Sequence, residues 1–203
     1  METGEKQEMK HFVTFEGIDG SGKSTVSKLV YEKLKSNSYN VVLTYEPTDT
    51  KIGKFVQKSI KTQADPFVTA FTFIADRIEH CKQIKKWLGE EKIVLCDRYA
   101  ESTYSYQGAQ LESHLKNPIK WLRELSNNRI IVPDRTFIFV IKPEESLARI
   151  QNRDELIPFE QISFLKKVHK NYLSISKGGR FLKLDATKKI DELVDICYKD
   201  IIS

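Results

Sequence analysis

The segment Glu16-Gly17-Ile18-Asp19-Gly20-Ser21-Gly22-Lys23-Ser24-Thr25 concentrates the residue types that bind phosphate. It satisfies the pattern GxxxxGK[ST], follows the apolar run HFVTF and enters a segment of helical periodicity, the context that pattern requires. Gly17, Gly20 and Gly22 let backbone amides turn toward phosphate oxygens without a Cβ in the way. A helix beginning near Lys23 aims its free amides and the positive end of its dipole at the same anion. Lys23 carries charge to the β- and γ-phosphates of ATP, and the Ser24 hydroxyl is placed to ligate Mg²⁺. Ile18, Ser21 and Thr25 complete the ATP-binding loop. Asp19 is out of place in a phosphate cradle, since it repels the ligand, and that oddity favours a specific role.

A phosphate loop needs a carboxylate at the end of a neighbouring strand, and Ile93-Val94-Leu95-Cys96-Asp97 supplies one, followed directly by Arg98 and Tyr99. Beside phosphates and Mg²⁺ the cost of burying Asp97 is offset. The alternative is a strand-end Asp that caps a helix. A GTPase switch would carry an N-K-x-D motif, which is absent; the D-x-x-G from Asp19 to Gly22 lies inside the phosphate loop itself. A motor or helicase ATPase would be larger.

These residues need a scaffold. Short β-rich runs at Phe12–Phe15, Val41–Tyr45, Ile93–Cys96, Phe137–Ile141 and Phe181–Leu184 alternate with longer helical segments. That alternation predicts a parallel sheet wrapped by helices, an α/β fold. Lys23–Lys35 reads as a helix with Val26, Leu29, Val30 and Leu34 on one face. Segments around Pro66–Leu88, Asn117–Leu125, Glu144–Asn152, Glu160–Ser176 and Lys188–Ile202 read the same way. With no repeat or low-complexity linker, residues 11–203 are expected to form one domain, and the polar residues 1–10 a flexible leader.

The composition fits a cytoplasmic enzyme of small anions. The 203 residues carry a formal net charge of +5 without a dense basic run, which argues against nucleic acid as partner. Three scattered cysteines form no CxxC pair, as expected of reduced thiols. No stretch approaches the ~20 apolar residues of a membrane span.

In order along the chain, FEGIDGSGKST, YEPT, FxxxR, DRY followed by STYSYQG, an arginine-bearing segment and LDAT make the sequence resemble the thymidylate kinases, among the P-loop nucleoside monophosphate kinases. The likeness runs from about Phe12 to the C-terminal helical segment. It implies a five-stranded parallel sheet of order 2-3-1-4-5, transfer of the ATP γ-phosphoryl to dTMP, Mg²⁺ as cofactor and a homodimer.

The resemblance also assigns residues. Phe73 would stack on the pyrimidine, and Arg77, at i, i+4 spacing on the same helical face, would bond a thymine carbonyl. An isolated FxxxR would better suit a core Phe beside a surface Arg, and it is the surrounding motifs that reverse this. Asp97 would sit near the metal and acceptor phosphate, and Arg98 would grip phosphate oxygens through its planar fork of donors. Ser102, Thr103, Tyr106 and Gln107 would line the acceptor cavity, with Thr103 at the base edge and Tyr106 crowding the sugar 2′ position. The same letters would also suit a polar surface loop. Glu46 and Pro47 would border the acceptor, and Asp19 would lie near its 3′-hydroxyl.

Some relatives carry a catalytic arginine where this chain has Gly20, and others supply it from a lid. Here the lid candidate spans about 146–158, with Arg149 and Arg153 one turn apart. Arg153 is the candidate for catalysis, while Arg149 could stack on adenine; a solvated arginine face is the alternative. Ala186 and Thr187 of LDAT would pack near the donor adenine. Tyr45 stands where the family often has Arg or Phe, and the lid holds fewer arginines than many relatives. A kinase for dUMP, dGMP or CMP is the nearest alternative activity. A non-catalytic nucleotide switch is a more distant one.

Overall fold

The computed structural model describes residues 9, 11–150 and 161–203. Most of the leader and, in the lid, residues 151–158 with Arg153 therefore lie outside the described residues. Five strands, β1 (Phe12–Gly17), β2 (Val41–Tyr45), β3 (Ile93–Asp97), β4 (Arg135–Val140) and β5 (Phe181–Asp185), pair in parallel in the order β2-β3-β1-β4-β5. This is the expected order. β1 and β3 are buried almost throughout, because helices cover both faces of a parallel sheet.

The helices are α1 (Lys23–Ser36), α2 (Lys51–Lys61), α3 (Pro66–Gly89), α4 (Ala100–Gln110), α5 (Pro118–Ser126), α6 (Pro143–Ile150), α7 (Ile162–Ile175) and α8 (Ile190–Ile202). Local chemistry starts several of them. Thr50 caps α2 by accepting from the Gly53 amide, and Asp65 caps α3 by accepting from the Phe67 and Val68 amides, with Pro66 at the first helical position. One apolar cluster joins β1, β4 and β5 to α1, α7 and α8, and a second joins β3 to α3, α4 and α5. None of the described helices is long and apolar enough to cross a membrane.

Two helices were not apparent in the sequence. In α2, Gly53 lies against the backbone of Thr48, where a Cβ would collide with the Thr48 carbonyl. In α4, all residues from Ala100 to Ala109 are buried, polar ones included. STYSYQG is thus a buried helix and not a polar surface loop. A helix buried on every side has no apolar stripe to betray it.

The strand order reverses around β1 and β3. Their carboxyl ends, with that of β2, open the crevice where such sheets place ligands.

Candidate active site

The loop leaving β1 runs from Gly17 to Gly22 and enters α1 at Lys23. Gly20 and Gly22 take left-handed φ angles of 77° and 86°. The helix's first amides receive no side-chain cap, so they remain directed into the loop. Ser24 and Thr25 are exposed on the first turn, Ile18 and Ser21 are buried beneath it, and Lys23 is 5% exposed. Burial first, then the nearby Arg98 charge, lowers the Lys23 pKa, against the pull of Asp19 and Asp97. An anion supplied by a ligand would relieve both effects.

Arg98 stands at the end of β3 with φ 67°, a left-handed conformation that costs a non-glycine residue ~1–3 kcal/mol and clusters at functional sites. Its backbone is held by its amide donating to Phe15 O at 3.0 Å and by Cys96 Sγ–H donating to its carbonyl at 3.0 Å. The guanidinium therefore turns back over the phosphate loop. It donates to Asp19 Oδ1 at 2.6 Å, to Ser102 Oγ at 3.0 Å and to Gly17 O at 3.3 Å, and lies 5.3 Å above the Tyr106 ring. The Tyr106 hydroxyl donates to Asp19 Oδ2 at 2.8 Å. Burial alone would raise the Asp19 pKa, but Arg98 and Lys23 together hold it well below the ordinary carboxylate value. Asp19 is thus neutralised within the cradle it would otherwise disrupt.

Beside this ion pair opens a cavity of about 530 Å³, counting its open mouth. One wall is Asp19 and Arg98, a second is Glu46 and Pro47, whose shared peptide bond is cis, and a third is Phe73 and Arg77 from α3. Ser102, Tyr106 and Gln107 of α4 close the floor. Arg77 is 1% exposed and donates through Nε to Glu46 at 2.8 Å and through Nη2 to Tyr99 O and Thr103 Oγ1, both at 2.9 Å. Its Nη1 is buried without a partner, as is the side-chain oxygen Oε1 of Gln107. Buried donors and acceptors seldom stay unpaired unless something else satisfies them. Thr103 is wholly buried beneath Arg77, so its hydroxyl orients the guanidinium. Glu46 does the same from the other side, and His80 Nδ1 lies 3.0 Å from its second oxygen.

On the far side of the loop, Arg149 of α6 donates to Ala186 O at 3.2 Å and to Gly20 O at 3.4 Å. This brings Arg149, Ala186 and the loop together, with Thr187 exposed next to them. Ser146, one turn earlier on α6, donates its hydroxyl to Asp19 O. Asp97 is half-buried and its Oδ1 has no partner. An orphan carboxylate oxygen at a strand end beside a phosphate loop suits a hard cation that takes most of its ligands from phosphate and water. Among the described residues, no group of three or more His, Cys, Asp or Glu is placed to hold a metal ion by itself.

A family model for thymidylate kinase matches residues 15–196. The chain belongs to the thymidylate kinase family. It is 40% identical to a probable thymidylate kinase of Methanosarcina mazei, covering 94% of both chains. A probable thymidylate kinase of Sulfurisphaera tokodaii is 41% identical over 96% of this chain and 97% of its own. One from Methanocaldococcus jannaschii is 38% identical over 90% of each. The match spans the phosphate loop, the cavity and the LDAT segment together.

Several residues that build this site were given no role from the sequence. Glu16, Asp76, Ser146 and Tyr172 act through contacts distant in sequence. Asp76 accepts from the Thr48 amide at 2.8 Å and the Thr48 hydroxyl at 2.6 Å, tying the loop after β2 to α3. The one available signal was Glu16, the single charged residue of β1.

Proposed function

We propose that the chain transfers the γ-phosphoryl of ATP to dTMP, giving dTDP and ADP, with residues 11–203 acting as one kinase domain. The observation that carries this reading is the Asp19–Arg98 pair, which belongs at once to the phosphate loop and to the wall of the base-sized cavity. Donor and acceptor phosphates bound on either side of it would meet.

The acceptor is an anionic phosphate oxygen, so the reaction needs positioning and charge neutralisation more than a general base. Lys23 and the loop amides neutralise the donor β- and γ-phosphates, and Arg98 holds the acceptor phosphate. Phe73 offers its ring to the pyrimidine, and Arg77 offers its unpaired Nη1 to a base carbonyl. Tyr106 and Asp19 border the sugar. Arg149, with the backbone of Ala186 and Thr187, borders the adenine. Ser24 and Asp97 would hold Mg²⁺, which when bound neutralises the charge developing on the phosphates. Arg153 is the candidate to reach the transferring group from the lid, a role worth ~10³–10⁵ in rate in related chemistry. The enzyme is proposed to be cytoplasmic and homodimeric.

The test is ADP release with dTMP, dUMP, dCMP, dGMP and the ribonucleotide of thymine, in wild type and Arg77→Ala. dTMP should be the best acceptor and dGMP among the poorest, since a purine overfills the slot and leaves the guanidinium poorly paired. dUMP, lacking one methyl, should trail by roughly 10–200-fold. A purine or dCMP as best acceptor would refute the assignment. So would an unchanged ranking in Arg77→Ala, for the role given to Arg77.

A further inference from the structure

The last residue but one of β1 is Glu16, a fully buried carboxylate. It faces the start of α4. Its Oε1 accepts from the Tyr99 amide at 2.7 Å and the Ser102 amide at 3.1 Å. Its Oε2 accepts from Ser102 Oγ at 2.7 Å and from the Tyr172 hydroxyl of α7 at 3.0 Å. The residue preceding α4, Tyr99, supplies no side-chain cap of its own. Glu16 performs that duty from β1, accepting from the first-turn amide of Ser102, which a local Ser or Asp would ordinarily take, and from the N-cap amide of Tyr99.

The same contacts reach Arg98. Ser102 Oγ accepts from Arg98 Nη1 at 3.0 Å while it donates to Glu16, so one hydroxyl separates the carboxylate from the guanidinium. The turn that Glu16 fixes begins immediately after Arg98, whose left-handed backbone needs outside support. We propose that Glu16 is a positioning residue for the acceptor phosphate, holding Arg98 in place over the phosphate loop through Ser102 and the first turn of α4.

Burial and then the Glu101 carboxylate of α4 push the Glu16 pKa up to about 7, against the Ser102 hydrogen bond, Arg98 and the Tyr99 amide. Glu101 is itself paired with Arg180. Keeping such a group in a core is costly, and an apolar side chain there would be cheaper for folding alone. The proposal rests on Arg98 serving the acceptor phosphate, as set out above.

The experiment is a double-mutant cycle read by calorimetric binding of dTMP and, separately, of a non-hydrolysable ATP analogue with Mg²⁺. Glu16→Gln should weaken dTMP binding on the order of tenfold, by leaving buried donors mismatched, and should change binding of the ATP analogue much less. In an Arg98→Ala background the same substitution should add little, because the two act through one contact. Effects that multiply in the double variant, or equal loss for both nucleotides, would overturn the inference while leaving Arg98 at the acceptor site. Unchanged dTMP affinity in Arg98→Ala alone would overturn both. If thermal melting shows that Glu16→Gln does not fold, Tyr172→Phe decides in its place. Removing that one donor should weaken dTMP a few-fold, and only when Arg98 is present; wild-type affinity in Tyr172→Phe would then reject the proposal.

Discussion

Lys23, Asp19 and Arg98 form a charged cluster that is largely closed to water. The Lys23 ammonium lies 3.9 Å from Asp19 Oδ1, farther than Arg98 at 2.6 Å, so Asp19 is chiefly the partner of Arg98. Lys23 is left to meet an incoming phosphate. Lys23→Ala should therefore lower kcat by ~10² or more while the protein stays folded, the scale seen when one preorganised donor to a transition state is removed. Retention of over about a tenth of wild-type kcat, measured in the same ADP-release assay, would contradict this role. Asp19 carries a separate prediction in pH. Its folded pKa is depressed, so it contributes stability that is present above the ordinary carboxylate pKa and lost as pH falls through the folded value. Asp19→Asn should then be less stable than wild type at pH 7, where Arg98 and Lys23 lose their counter-charge. The gap should narrow as wild type is taken below about pH 4. Urea midpoints at both pH values check the sign, and a gap that widens in acid would refute it.

Among the elements, α6 decides how the loop can be completed. Its Ser146 carbonyl stands where a side chain at Gly20 would begin, and Ile150 Cγ2 stands 3.2 Å from the same point. A catalytic arginine at position 20 is thus excluded by packing as well as by the φ of 77°. An arginine that reaches the transferring phosphoryl therefore has to come from a position other than 20. Gly20→Ala should strain the backbone and push α6 away, lowering Tm and raising the KM for ATP through the lost Ser146 and Arg149 contacts. A Tm within a degree of wild type, with ATP KM unchanged, would mean that α6 yields freely. α4 shows the converse dependence. Burial of its Ser102, Thr103 and Tyr106 is offset by Glu16, Arg77, Arg98 and Asp19, which pair with them from other segments, while Asn171 of α7 donates to the Ser105 carbonyl.

At the scale of the whole molecule, large apolar side chains are exposed on α2 and α3, at Phe55, Val68 and Phe71. Phe55 is 49% and Phe71 50% exposed, and Phe67 and Phe71 each lie 5.6 Å from the Trp121 ring in edge contacts. Exposed apolar residues grouped in this way suit a protein interface, and a self-complementary patch suits a two-fold dimer. If the proposed homodimer pairs through this face, Phe71→Glu should convert it to monomer in light scattering coupled to size exclusion, and a monomeric wild type would refute the dimer itself. A dimer of unchanged stability would move the interface to another face.

The sequence by itself determined the strand set, the phosphate loop, Asp97 at a strand end and the chain's family motifs. These are local features: a buried parallel strand is a continuous apolar run, and a phosphate loop takes all its amides from neighbouring residues. Sequence could not determine what each polar residue faces. Read locally, STYSYQG left a polar surface loop open as an alternative and Glu46 carried no sign of a partner, yet one is a core helix and the other pairs with the buried Arg77 while lining the cavity. Only the tertiary structure decided these, because a buried polar group is stabilised by partners far away along the chain, as Glu16 is by Ser102 and Tyr172 at separations of 86 and 156. No local pattern encodes such a pairing. It exists once the sheet has brought the ends of β1 and β3 side by side.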